Sequence, residues 1–561
     1  MARLIREYPK RPQIVLDGIW DFAPLKRRPA RPPEAGRLSE RLPVPGVWEM
    51  SARHFRHRGW GCYAREFEVG GTRTASLRLV FEAVSHTAHV WLDNRYLGSH
   101  YGAYTAFEFT CPDVAPGTHR VTVAVDNSFG PHHPLMAQHQ DIFVYGGIAR
   151  SVWAEVLPDA HIASAAALPV RTPKGWELAC GAQVQAGGDA ILPTVVDVFL
   201  DGKKLGSLPV DRKGAARGRL AVAKPELWST ESPRLYQVRI TAGGDEWQER
   251  IGFRTVTVRG RDILLNGVPL RLRGVNRHEF HPDFGPALPA AVQMKDIEVL
   301  RKLGANFVRG SHYPYDPFFL DLCDESGILF WEELSHWQST AEMMASESFR
   351  RESLKQADEM IMQHRHHPSI ILWGMLNEAH TDHPVARETI GLFTRRFREL
   401  DPTRLVTYAS SRPEKDVAFG LVDVVSINKY PGWYMGGLED LDLQLKGIFD
   451  NARRRSRGKP VIFSEFGAAA ISGVRSFELR KWTEDYQAEL LCRVIDATER
   501  TGFITGVAIW QYCDVRTSET MWISRAREYN NKGIVTAHRE PKAAFSAVAA
   551  RFHAPWGGKQ G

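Results

Sequence analysis

Through the first 257 positions the chain mostly alternates apolar and polar residues in short runs. Segments 75–82 (ASLRLVFE), 89–92 (HVWL) and 119–125 (HRVTVAV) read as strands buried on one face, with turn residues between them. Asp93-Asn94 marks a tight hairpin. This predicts a jelly-roll-like β-sandwich over residues 1–158. A smaller set of alternating strands follows over 159–257, with turn signals at Asp201-Gly202 and Gly243-Gly244. Its size suits an immunoglobulin-like sandwich. Neither region shows a nucleophile, a metal cluster or a phosphate loop.

From residue 258 the period changes, and apolar strand-like runs alternate with amphipathic helical ones. Strands are expected at 271–276, 306–311, 328–333, 370–377, 404–410, 422–428, 461–466 and 504–511. Helices are expected between them, among others at 292–304, 349–365, 386–400 and 483–500. In the first of these Met294, Ile297, Leu300 and Leu303 recur on one face. The connection at 413–421 (PEKDVAFGL) is too short for a good helix. Eight such units over 258–561 predict a (β/α)8 barrel. The competing doubly wound sheet lacks a glycine-rich phosphate loop after its first strand. The fold class expected is thus multidomain β plus α/β: two β-sandwiches followed by a C-terminal (β/α)8 TIM barrel.

In such barrels the working residues stand at the C-terminal ends of the strands. The fourth strand ends in Asn377-Glu378 and the seventh in Glu465. Cleaving a glycosidic bond takes two carboxyl groups, one protonated to release the leaving oxygen and one ionised to attack the anomeric carbon. In a retaining enzyme they stand roughly 5–5.5 Å apart. Sharing one cleft helps, because each charge raises the other's proton affinity. Glu378 is therefore expected to be the acid/base and Glu465 the nucleophile. After the last strand comes Asn530-Asn531-Lys532-Gly533. An ammonium and an amide there would suit a sugar that is itself an acid, because a carboxylate entering a pocket needs a compensating cation.

Composition changes this picture little. The 561 residues carry 72 basic and 65 acidic side chains, a net charge of +7, and the basic ones are dispersed. Lys26-Arg27-Arg28 and Arg453-Arg454-Arg455 sit in no nucleic-acid motif, so no nucleic-acid partner is expected. The six cysteines have no CxxC or other metal-ligand spacing, so free thiols and no metal are expected. No segment reads as a signal peptide and none reaches the roughly 20 apolar residues of a membrane span. A cytoplasmic protein without a membrane partner is expected.

The ordered segments VPGVWE, GCYAREFEV, YGAYTAFEF, DIFVYGGIARSV, PELWSTESPRLY, IGFRTV, LRGVNRHEFHP, RGSHYPYDP, WGMLNEA, SINKYPGWY and SEFG resemble glycoside hydrolase family 2, and within it the β-glucuronidases. The resemblance covers nearly the whole chain. It implies that Asn377 bonds the sugar's 2-hydroxyl, that Tyr430 orients the nucleophile, and that Trp433 and Tyr434 line the pocket. It implies sugar contacts from His278 and His312, a reach from the first domain by Asp141, and a pocket floor at Trp510. The N-x-K pattern at Asn530 and Lys532 is what separates β-glucuronidases from neutral-sugar members. No cofactor is implied. The expected substrates are β-glucuronide small molecules or oligosaccharides, and the expected assembly is a homo-oligomer, a dimer or tetramer.

Three departures stand out. The usual proline after Asn-Glu is Ala379. The arginine that often precedes N-x-K could be Arg525 or Arg527. No long insertion follows the third strand, which predicts an open mouth that admits larger leaving groups. Glu332 and Glu333 are expected to be structural acids. A β-galacturonidase shares the acid clamp and differs at C4. A neutral β-galactosidase is disfavoured by N-x-K, and a non-catalytic carbohydrate-binding protein by the intact acid pair.

Overall fold

A computed structural model describes residues 7–130, 134–135, 141–187 and 190–556. The first module sets a four-stranded sheet (Gln13–Val15, Val152–Leu157, Ala75–Phe81, Phe107–Val114) against a six-stranded one that includes Gly18–Leu25, Trp60–Val69 and Gly117–Asp126. Trp20, Phe22, Tyr63, Leu77, Leu79 and Val123 fill the space between them. Alternation is what aims these side chains at one face of each strand. The hairpin at Asp93 forms as expected, with Leu92 opposite Arg95 and Asp93 in the left-handed region at φ 53°.

In the second module Ala160–Thr172, Gly175–Ala186 and Ala215–Val222 form one sheet. Lys203–Pro209, Val195–Leu200, Tyr236–Ala242 and Asp245–Ile251 form the other. Both turn signals act as two-residue hairpins with positive φ at each central position: Asp201 at 46° and Gly202 at 76°, Gly243 at 58° and Gly244 at 96°.

The third module is a closed barrel of eight parallel strands. They are β1 (Leu272–Arg277), β2 (Phe307–Gly310), β3 (Leu329–Glu333), β4 (Ile370–Asn377), β5 (Leu405–Ser410), β6 (Val425–Asn428), β7 (Val461–Glu465) and β8 (Ile504–Ile509). Each lies inside the segment expected for it or within one residue of it. Between β5 and β6 there is only one short 3-10 turn, Phe419–Leu421. Burial on both faces is why these strands read as apolar runs without alternation.

The helix Ala290–Leu303 departs from the expected face. Met294 is 52% exposed, whereas Ile297, Leu300 and Leu303 are buried together with Gln293, Asp296 and Val299. The buried stripe is rotated because Asp296 must face inward. It accepts charged hydrogen bonds from Arg277 (2.7 Å) and Arg539 (2.8 Å), and one from Tyr512 (2.9 Å). A polar anchor overrides an apolar pattern here. All six cysteines are buried and unpaired. Among the described residues no helix is long and apolar enough to cross a membrane.

Candidate active site

Glu378 and Glu465 line one cleft of about 580 Å³ at the C-terminal ends of the barrel strands. Asp141, Tyr430, Tyr434, Trp510 and Arg525 line it too. Barrel closure is what joins them, since β4 and β7 are far apart in the chain.

Glu465 is 3% exposed, and both its oxygens accept hydrogen bonds. Arg309 Nη1 donates to Oε1 at 2.8 Å and the Tyr430 hydroxyl to Oε2 at 2.7 Å. Burial pushes Glu465 up to about 8; the Arg309 charge pulls against this and the Glu378 charge adds to it. Burial, with the charges of Glu465 and Glu378, raises Tyr430 well above the ordinary phenol range, so it stays a neutral donor. Glu378 is half-buried at the mouth. Asn428 Nδ2 donates to one of its oxygens (3.2 Å) and Gln338 Nε2 to the other (3.2 Å). Its backbone is left-handed, φ 52°, which costs roughly 1–2 kcal/mol for a residue with a Cβ. Bonds from Glu378 N to Ala409 O (2.9 Å) and from Arg412 Nη1 to Glu378 O (3.2 Å) hold that conformation.

Arg309 organises the cleft floor. It is fully buried in β2 and bonds Glu333 through Nε (3.1 Å) and Nη2 (3.0 Å), and Asn377 Oδ1 through Nη2 (2.8 Å). Asn428 Nδ2 also donates to Asn377 Oδ1, at 3.0 Å. Two donors on that oxygen fix the amide orientation, leaving Asn377 Nδ2 on the His312 side, 3.4 Å from Nε2. His312 Nδ1 lies 2.6 Å from Glu333 Oε1. Burial lowers His312 well below the ordinary histidine range, with Arg309 adding to the effect. His312 is therefore neutral, donating from Nδ1 to Glu333 and accepting at Nε2. Trp510 stacks on His312 at 5.1 Å, and His278 meets Trp510 edge-on at 5.4 Å. Burial also lowers His278 strongly, with His312 and Arg309 contributing.

Beyond β8, a two-stranded ribbon of Val515–Arg516 with Tyr529–Asn530 leads into the N-x-K segment, whose Asn530 and Lys532 lie behind the cleft wall, against its residues Asp141 and Tyr434. Lys532 is 2% exposed. Its amine donates to the Tyr434 hydroxyl at 2.8 Å and lies 5.6 Å from the Tyr430 ring centre and 6.0 Å from that of Trp433. Among the described residues no carboxylate is within ion-pair distance of it. Lys542, equally buried, is fully matched: it bonds Asp514 Oδ1 (2.8 Å), Ala470 O (2.7 Å) and Asn531 O (3.1 Å). Asn530 is turned inward, accepting from Lys532 N (3.2 Å) and donating to Asp141 Oδ2 (2.8 Å). Gly533 is required by close approach, because a Cβ there would lie 2.3 Å from Asp514 N.

Arg525 and Arg527 separate cleanly. Arg525 grips Asp141 with two bonds, 2.9 and 2.8 Å, and lines the cleft. Arg527 is not in the cleft wall and sits in a left-handed turn at φ 57°. Trp433 backs the wall rather than forming it, packed on Trp482 at 5.2 Å. The short connection 334–340 after β3 brings Trp337 and Gln338 to the mouth. Glu332 is structural, bonding Tyr315 N and His364. Sequence reasoning missed Arg309, the bridging part of Glu333, Asn428 and Gln338. A lone arginine inside the apolar run NFVRGS was a usable signal, since a buried guanidinium must be paired. Gln338, on a loop, offered none.

The chain belongs to glycosyl hydrolases family 2 and is a glycoside hydrolase. The family's TIM barrel domain model matches residues 256–554, its sugar binding domain model residues 15–158, and a further family 2 model residues 193–254. A β-glucuronidase from Rattus norvegicus is 30% identical over 98% of this chain and 91% of its own length. Among solved structures, a family 2 β-galacturonidase from Eisenbergiella tayi bound to galacturonate is 36% identical, with a TM-score of 0.91 over 98% of this chain and 99% of that one. The β-glucuronidase of Ruminococcus gnavus in complex with D-glucuronic acid is 26% identical, with a TM-score of 0.84 over 99% of both chains.

The raised proton affinity of Glu465 has a consequence for stability. A carboxyl whose folded value lies above its unfolded one stabilises the fold less as pH rises from the ordinary Glu range to about 8. Glu465→Gln removes that penalty. The variant should melt higher than the wild type at pH 8, by roughly a few degrees, and by much less at pH 5. Thermal unfolding at both pH values checks this, and an equal shift at both would discard it.

Proposed function

We propose that this protein is a retaining β-glucuronidase. The observation that carries this reading is Lys532: a buried ammonium with one hydroxyl partner and no carboxylate among the described residues, behind the wall of a cleft that holds two acids. A buried uncompensated cation calls for an anion. The C6 carboxylate of a uronic acid supplies it; Arg525 stands in the cleft wall with its own charge matched by Asp141.

With C6 held there, C1 would lie between Glu378 and Glu465. Once ionised, Glu465, with its oxygens accepting from Arg309 and Tyr430, attacks C1 while Glu378 gives its proton to the leaving oxygen. A glycosyl ester forms on Glu465. Glu378 then takes a proton from water, which attacks C1 and returns the sugar with its configuration retained. In this reading Asn377 Nδ2 donates to the 2-hydroxyl, where hydrogen bonds strengthen in the transition state. Asp141, His278, His312 and Trp510 surround the sugar in this reading.

A second reading is favoured by one observation. The galacturonidase structure is more similar to this chain, at 36% identity, than the R. gnavus glucuronidase structure, at 26%. Both activities need the anion clamp and differ at C4. A panel of 4-nitrophenyl β-D-glucuronide, galacturonide and galactoside decides. The glucuronide is expected to have the highest kcat/KM and the galactoside at least about 10²-fold less, the scale of a lost buried charge contact. A preference for galacturonide would replace the first reading by the second. Comparable galactoside turnover would reject both.

A further inference from the structure

The immunoglobulin-like module carries an open groove of about 540 Å³. It lies where the sheet Ala160–Thr172, Gly175–Ala186, Ala215–Val222 ends. Trp176 stands at its centre, opposite Arg171 on one side and Val222 on the other. The indole packs edge-on against Phe253 at 5.5 Å and is left half-buried, and the Arg171 guanidinium lies 5.8 Å from its ring centre. Lys174 at the hairpin turn and Lys224 after the third strand complete the rim, both exposed. Among the described residues no acidic side chain lines the groove. Among the described residues none of the three cations has a carboxylate within ion-pair distance. Elsewhere on the surface of this chain exposed cations commonly do, as in Arg73–Asp159 (2.9 Å) and Arg475–Asp485 (2.5 Å).

We propose that this groove is a second binding site, remote from catalysis, for an acidic polysaccharide chain. An indole face offers an apolar platform to the C–H face of a pyranose ring. Three unmatched cations around it attract the carboxylates of neighbouring residues. The proposal rests on the uronidase reading for its choice of ligand: an enzyme that trims terminal uronates gains residence time by holding the rest of an acidic chain. A nucleic acid is the competing polyanion. A sugar chain fits better because one aromatic platform flanked by cations suits a ring-by-ring carboxylated polymer, whereas single-stranded nucleic acids are held by successive stacking platforms.

The test uses the full chain and two variants, Trp176→Ala and the double Lys174→Glu/Lys224→Glu. Retention is measured in gels containing hyaluronan, polygalacturonate, dextran or single-stranded DNA. The wild type should be retarded by the acidic polysaccharides and not by dextran. Each variant should weaken that retention at least about tenfold, equivalent to about 1.4 kcal/mol. Hydrolysis of 4-nitrophenyl glucuronide should change less than twofold. Unchanged retention in the double variant overturns the proposal, and that variant alters only exposed side chains. Stronger retention by DNA, insensitive to Trp176→Ala, overturns it as well. If the wild type cleaves no uronide but its polysaccharide retention is lost in the variants, the catalytic reading fails and the groove stands.

Discussion

Glu465→Ala is expected to lower kcat for 4-nitrophenyl glucuronide by about 10⁴-fold or more, the scale seen when a covalent nucleophile is removed. The fold should survive. Arg309 keeps both its bonds to Glu333 and the one to Asn377, so no guanidinium is stranded. Tyr430 loses one acceptor at the cleft wall. Chemical rescue sharpens the test. Azide admitted beside C1 would displace the leaving group once, giving the α-glycosyl azide from the Glu465 variant. In Glu378→Ala it would attack the glycosyl ester, giving the β-azide. Turnover within tenfold of the wild type, or the same azide anomer from both, would reject the assignment of the two roles.

Lys532→Ala is the second large effect. A desolvated ion pair that loses one partner typically costs about 2–5 kcal/mol, so kcat/KM on the glucuronide should fall by roughly 30- to 5,000-fold. Residual activity on a neutral β-glycoside should change little, because no C6 charge is present to be stranded. The free protein should tolerate the change. Among the described residues the amine donates to the Tyr434 hydroxyl and meets no carboxylate, and removing a poorly matched buried cation relieves a desolvation cost. An equal loss on charged and neutral substrates would remove the carboxylate clamp, and with it the preference for uronic acids. A variant that melts well below the wild type would instead assign Lys532 to the scaffold.

The barrel was legible because each β strand is a short apolar run bounded by turn residues, and all but β5 are followed by an amphipathic helix. Glu378 and Glu465 were legible because barrel topology assigns strand ends to one rim whatever the separation in sequence. The buried face of Ala290–Leu303 was not legible, because Asp296 is drawn inward by Arg277 and by Arg539, which comes from beyond β8. Arg309 was visible as a charge inside an apolar strand, but its partners on β3, β4 and β7 were not. The choice between Arg525 and Arg527 was open for a similar reason. It depends on Asp141, a residue of another module, and on a left-handed turn that carries Arg527 off the cleft.

Local pattern alone determined the kinds of module, their order and the chemical types brought to the rim: two acids, an amide and an ammonium. Those follow from side-chain periodicity and strand-end chemistry, which are properties of neighbouring residues. The tertiary structure decided which groups are paired and which are left unmatched. Lys542 is satisfied by Asp514 while Lys532, ten residues earlier, keeps its charge uncompensated among the described residues. That difference is set by contacts between segments distant in sequence and by removal from water, which give a buried charge its demand for a partner.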